Sequence, residues 1–78
     1  MSKSREPADR ALYRHHMLAA ATRDAMMLAA HLESLANEET DPSRLAETKA
    51  CASLVRLLQG VLSERAQTAR TEMLGRMK

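Results

Sequence analysis

Residues Asn37–Leu45 read NEETDPSRL, the one place along the chain where the apolar pattern stops and a proline follows an aspartate. Asp as N-cap with Pro at the first helical position marks a helix start. The carboxylate accepts amide N–H groups that lack an intrahelical partner, and proline has no amide to waste there. A second helix therefore begins at Pro42 and is predicted to run to about Gly75. The first is predicted from about Pro7 to Asn37, roughly 30 residues and about 45 Å long at 1.5 Å per residue. The short break between them makes an antiparallel hairpin.

Composition selects the same fold class. Tyr13 is the single aromatic residue, and alanine, leucine and six methionines supply the apolar mass. Those are strong helix formers. Alternating β-branched and aromatic runs, the mark of strands, are missing. The expected fold is all-α. Gly60 is the point at which the second helix would split. However, the apolar stripe Cys51, Val55, Leu58, Leu62, Ala66, Ala69, Met73, Met77 crosses it with spacings of three and four. The polar stripe Lys49, Ser53, Arg56, Gly60, Ser63, Gln67, Arg70 does the same, which places Gly60 on the solvent side of one unbroken helix.

The first helix presents a seam at Ala11, Leu18, Ala21, Ala25, Leu28, Leu32 and Leu35, interrupted by Arg14, that is expected to pack on the second helix's apolar stripe. This seam leaves much of the segment AMMLAAHLESLA (residues 25–36) unaccounted for. A further strip, Leu12, Ala19, Met26 beside Tyr13, Ala20, Met27, repeats every seven residues, and only the row His16, Arg23, Ala30, Asn37 reads as solvated. A helix apolar around most of its circumference is a buried helix, and one neighbour does not bury it. A chain of 78 residues hides only about 60% of its unfolded surface. Dimerisation into a four-helix bundle is the expected solution.

Charge gives that dimer a direction. Residues 1–23 carry five Lys or Arg against two acids, residues 24–47 one against six, and residues 48–78 six against two. The hairpin thus has a basic open end and an acidic turn. Two hairpins stacked head to tail would set unlike ends together, and stacking turn to turn would set like ends together.

The chemistry-bearing residues argue against an enzyme, a cofactor or a metal centre. Cys51 has no cysteine partner, and its place on the apolar stripe reads as a small buried hydrophobe. His15 and His31 are sixteen residues apart on one helix, and the three histidines read as occupants of polar or rim positions. Glu38, Glu39 and Asp41 lack the alternating oxygens and central glycine of a calcium loop. They read as charge placed favourably at a helix N-terminus. No nucleophile, histidine and acid stand in a catalytic arrangement, and two glycines do not build a phosphate loop.

The leading expectation is a non-enzymatic protein-binding module, such as a small inhibitor, adaptor or co-chaperone. It would act through an apolar Met/Ala/Leu helix surface formed by Leu12, Tyr13, Met17, Met26 and Met27. Methionine is flexible and polarizable and repacks readily against a partner. The second expectation is a dimeric nucleic-acid-binding regulator, with Arg5, Arg10, Arg14, Arg65 and Arg70 gathered at the open end to meet phosphates. In layout this resembles short dimeric helical hairpins that bind structured RNA, although nearby acids dilute the patch and no aromatic platform accompanies it. The polar first residues and an apolar run no longer than AMMLAA predict a cytoplasmic chain without a membrane span. All 78 residues are expected to form one domain, with residues 1–6 and 76–78 as flexible ends.

Overall fold

The structure is a computed structural model that describes residues 6–76, with side-chain detail over residues 9–75. Two helices, α1 (Glu6–Glu38) and α2 (Pro42–Arg76), lie antiparallel and packed on each other, as the reading of Asn37–Leu45 predicts. Helix α2 passes through Gly60 without a break, and open space surrounds that glycine. Of the chain ends expected to be flexible, Glu6 and Arg76 are helical and the remaining positions lie outside the described residues.

The turn is held by its own side chains. Asp41 Oδ2 accepts the backbone N–H of Arg44 at 2.9 Å, and the Asp41 carbonyl accepts that of Leu45 at 2.9 Å. This is an N-cap, with Pro42 opening the helix behind it. Glu39 Oε2 accepts the N–H groups of Thr40 and Asp41 at 3.1 and 3.0 Å, and Arg44 Nε donates to Glu39 Oε1 at 3.2 Å. The Asp41 amide and then the Arg44 guanidinium hold the Glu39 carboxyl below the ordinary glutamate value of 4.5. Asp41→Ala is expected to cost about 1 kcal/mol, or about 4–8 °C in thermal midpoint for a domain of this size. An unchanged circular-dichroism melt would show that the cap is dispensable.

Packing follows a strict alternation of three- and four-residue steps. The inward residues of α1 are Ala11, His15, Leu18, Thr22, Ala25, Ala29, Leu32 and Ala36. Those of α2 are Leu45, Thr48, Ala52, Val55, Gln59, Leu62, Ala66, Ala69 and Met73. This corrects the sequence reading in one row of each helix. The row Ala11, Leu18, Ala25, Leu32 is inward as expected, and so are Val55, Leu62, Ala66, Ala69 and Met73. Leu28, Leu35 and Leu58, assigned to the seam, are 49%, 61% and 52% exposed, and Cys51 is exposed as well. Their places are taken by Ala29, Ala36, Gln59 and Ala52, one residue further along.

The physical reason is size together with local polar bonding. Among the described residues the buried ones are all alanines, and Ala29 is 0% exposed. A seam of small side chains lets two backbones approach closely and pushes leucines to the flanks. The polar seam residues satisfy themselves. Thr22 Oγ1 donates to the Leu18 carbonyl at 2.7 Å, Thr48 Oγ1 to the Arg44 carbonyl at 2.8 Å, and Gln59 Oε1 accepts Arg56 Nη1 at 2.8 Å. His15 is the exception, half-buried in the seam instead of on a polar rim, with Nδ1 lacking a hydrogen-bond partner.

The resulting body measures 60 × 19 × 13 Å with a radius of gyration of 17.6 Å. A compact domain of this length would have a radius near 11.5 Å. A layer two helices wide and one thick has a seam but little interior.

Candidate functional site

Two ion pairs across the hairpin fix which residues flank the seam on either side. On one flank Arg56 grips Glu33 with two bonds of 2.9 Å, Nε to Oε2 and Nη2 to Oε1. The guanidinium pulls the Glu33 carboxyl below 4.5, and Glu33 in turn raises the Arg56 pKa. On the other flank Arg14 Nη1 donates to Glu72 Oε1 at 3.3 Å. Stepping by heptads from Glu33/Arg56 brings Met26 level with Ser63 and Ala19 level with Arg70. The same step from Arg14/Glu72 brings Ala21 level with Arg65, Leu28 with Leu58, and Leu35 with Cys51. The first flank sets Leu12, Ala19 and Met26 of α1 beside Arg56, Ser63 and Arg70 of α2. The second has Leu28, Leu58, Leu35 and Cys51 beside the seam from its middle to the turn, with Asp24 and His31 on the outer row of α1.

Leu54 and Val61, both exposed, lie on the outer edge of that second flank and widen it. Toward the open end the leucines give way to small or charged residues. There the surface dips into a groove of about 530 Å³ lined by Arg10, Tyr13, Arg14, Met17, Leu18 and Arg65. An adjoining hollow of about 510 Å³ shares Arg14, Leu18 and Arg65 and adds Glu64, Thr68, Ala69 and Glu72. One face of the hairpin is thus a ridge of leucines near the turn and a depression near the open end.

The five residues expected to bind a protein partner are all exposed, but they do not form one patch. Leu12 and Met26 share the heptad row of Glu33, Met27 lies on the row of Tyr13 that faces away from the seam, and Tyr13 and Met17 line the groove beside Arg14. The arginines expected to bind nucleic acid also divide. Arg10, Arg14 and Arg65 meet in the groove, Arg70 lies on the opposite flank, and Arg5 lies outside the described residues. Arg14 is already paired with Glu72.

No protein-family model, curated protein or solved structure matches this chain. Among the described residues no three of His, Cys, Asp and Glu gather as metal ligands would, and no helix is long and apolar enough to cross a membrane. What sequence reasoning missed is the leucine ridge itself, Leu28, Leu35, Leu54, Leu58 and Val61. The expected phase counts Leu28, Leu35 and Leu58 as interior and gives Leu54 and Val61 no place.

Proposed function

We propose that this chain is a non-enzymatic protein-binding module of the cytoplasm that pairs with a second copy into a four-helix bundle and offers further apolar helix surface to another protein. One observation carries the reading. Leu12, Tyr13, Met17, Met26, Met27, Leu28, Leu35, Leu54, Leu57, Leu58, Val61 and Leu74 are large and exposed, whereas the buried residues among those described are all alanine. An isolated hairpin leaves its large apolar side chains in water, and this much exposed apolar surface favours association. An adaptor, inhibitor or co-chaperone role follows from that chemistry, with Met26 and Met27 as adaptable contacts.

The test is capture from the native cell with wild-type protein and with Met26→Glu plus Met27→Glu. A defined protein recovered by the wild type and lost with the double substitution supports the module, provided light scattering shows both forms at twice the 8.7 kDa chain mass. Equal recovery by both removes the methionines from the site.

A second reading rests on the convergence of Arg10, Arg14 and Arg65 in one groove, which suits phosphates. Glu64 and Glu72 beside it weigh against a nucleic-acid role. RNA or DNA recovered at low salt, released by added salt and lost with Arg10→Glu plus Arg65→Glu would establish it instead.

A further inference from the structure

The hairpin's two flanks differ in shape and charge, and one of them is self-complementary. We infer that the face bearing Leu28, Leu35, Leu54, Leu58 and Val61 is covered by a second copy of this chain, stacked head to tail about a two-fold axis that crosses both helices at the level of Leu28 and Leu58. The inference rests on the dimer proposed above and specifies its face, direction and register.

Three properties of the face carry it. The first is position. Leu28 and Leu58 lie at one level and at the middle of the apolar stretch that runs from Met17 and Ala21 to Leu35 and Cys51. A two-fold axis placed there lays that stretch over its own copy. Each helix then packs antiparallel on its own equivalent, Leu28 on Leu28 and Leu58 on Leu58, an isologous contact of the kind closed dimers use.

The second property is shape. The same rotation carries Leu35 onto Ala21 of the second copy and Leu54 close to its Val61. The groove near one open end then faces the turn of the other copy, with Leu18 level with its Glu38 and Arg14 with its Pro42. Leu35 of each copy meets Ala21 of the other, so a large residue faces a small one at both ends of the α1 contact.

The third property is charge. Glu38 and Glu47 stand on this face near the turn, and Arg10, Arg14 and Arg65 stand on it near the open end. Head-to-tail stacking brings these unlike groups together. It also brings Arg44 of one copy toward Glu72 of the other, so that Glu39, Arg44, Glu72 and Arg14 alternate in sign across the two chains. Turn-to-turn stacking would crowd Glu38, Glu39, Asp41 and Glu47 of both copies at one end. The opposite flank offers no such match, because its α2 row carries Lys49 near the turn and Arg70 near the open end, like charges that head-to-tail stacking would bring together. Met26 and Met27, off the covered face, stay accessible on the finished dimer.

Cysteine cross-linking reads this arrangement directly. The axis sets Cys51 of one copy against Arg65 of the other, each seven residues from Leu58 along α2. Two Cys51 residues would be roughly 20 Å apart at 1.5 Å per residue, and a disulfide requires Cα atoms within about 7 Å. Cys51 and a cysteine at position 65 within one chain are also too far apart along α2 to join. Mild oxidation of Arg65→Cys should therefore give a covalent dimer, and the same treatment of the wild type, with Cys51 alone, should give none. As a second measurement, Leu58→Glu should halve the mass seen by light scattering, or unfold the chain, whereas Met26→Glu plus Met27→Glu should leave a dimer. A wild-type disulfide dimer, or Leu58→Glu remaining dimeric, overturns the inference. So does a non-covalent dimer in which Arg65→Cys does not cross-link, although self-association itself then stands. A wild-type protein that is monomeric at every concentration refutes the dimer and this arrangement together.

Discussion

Ala29→Leu is expected to lower the thermal midpoint by about 5–20 °C, whereas Ala30→Leu, one residue along, should leave it nearly unchanged. Ala29 is fully buried between the helices and Ala30 is exposed. Three added carbons at position 29 have no space to enter unless the backbones separate, and overpacking of this kind costs about 1–3 kcal/mol. Each kcal/mol is worth about 4–8 °C in a domain of this size. At position 30 the same atoms enter water, at a cost within about 0.5 kcal/mol. Paired circular-dichroism melts at one protein concentration give the answer. Equal effects at the two positions would mean that the seam described here has the wrong phase.

A hundredfold dilution should cost about 2.7 kcal/mol of apparent stability if folding and pairing are coupled. The hairpin shows why they should be. Leu28, Leu35, Leu54, Leu58 and Val61 are about half or more exposed in one chain, so in the proposed dimer they would contribute as core residues only once a second copy arrives. Stability then depends on protomer concentration by mass action. Melts between micromolar and hundredfold higher concentration should shift by about 5–11 °C, because two chains share the roughly 2.7 kcal/mol and each converts at about 4–8 °C per kcal/mol. A midpoint independent of concentration would show that the hairpin stands alone.

The path from sequence to structure was clear where the signal was local. Asp41 and Pro42 mark a helix start through hydrogen bonds made within four residues, and those bonds are present. Gly60 was placed correctly because two stripes crossed it in phase. The seam was less legible. Hydrophobicity ranks Leu28 above Ala29 and Leu58 above Gln59, but a hairpin seam selects for closeness of backbones as well as for apolar mass. Thr22, Thr48 and Gln59 enter it because each finds a polar partner on its own helix. Neither criterion shows in a pattern of apolar residues alone. The candidate site inherited that error, since leucines counted as interior were withheld from the surface. The grouping of Tyr13 and Met17 with Arg10, Arg14 and Arg65 required a register between the helices, which one chain's periodicity does not contain.

The turn at Glu39–Asp41 also imposes an order on the molecule. Glu33 meets Arg56 across a separation of 23 residues, and Arg14 meets Glu72 across 58. Loop-closure entropy makes the nearer contact easier to form first by about 0.8 kcal/mol. The helices therefore zip from the turn outward, and the far end is the last to close and the first to fray. Amide hydrogen exchange should accordingly be slowest around Leu32 and Val55 and become faster toward Ala11 and Met73; uniform protection along both helices would contradict a zipper. The groove of Arg10, Tyr13 and Met17 lies in the fraying half. Whatever occupies that groove, a second copy included, acts as a clasp on the part of the hairpin that its own turn holds least.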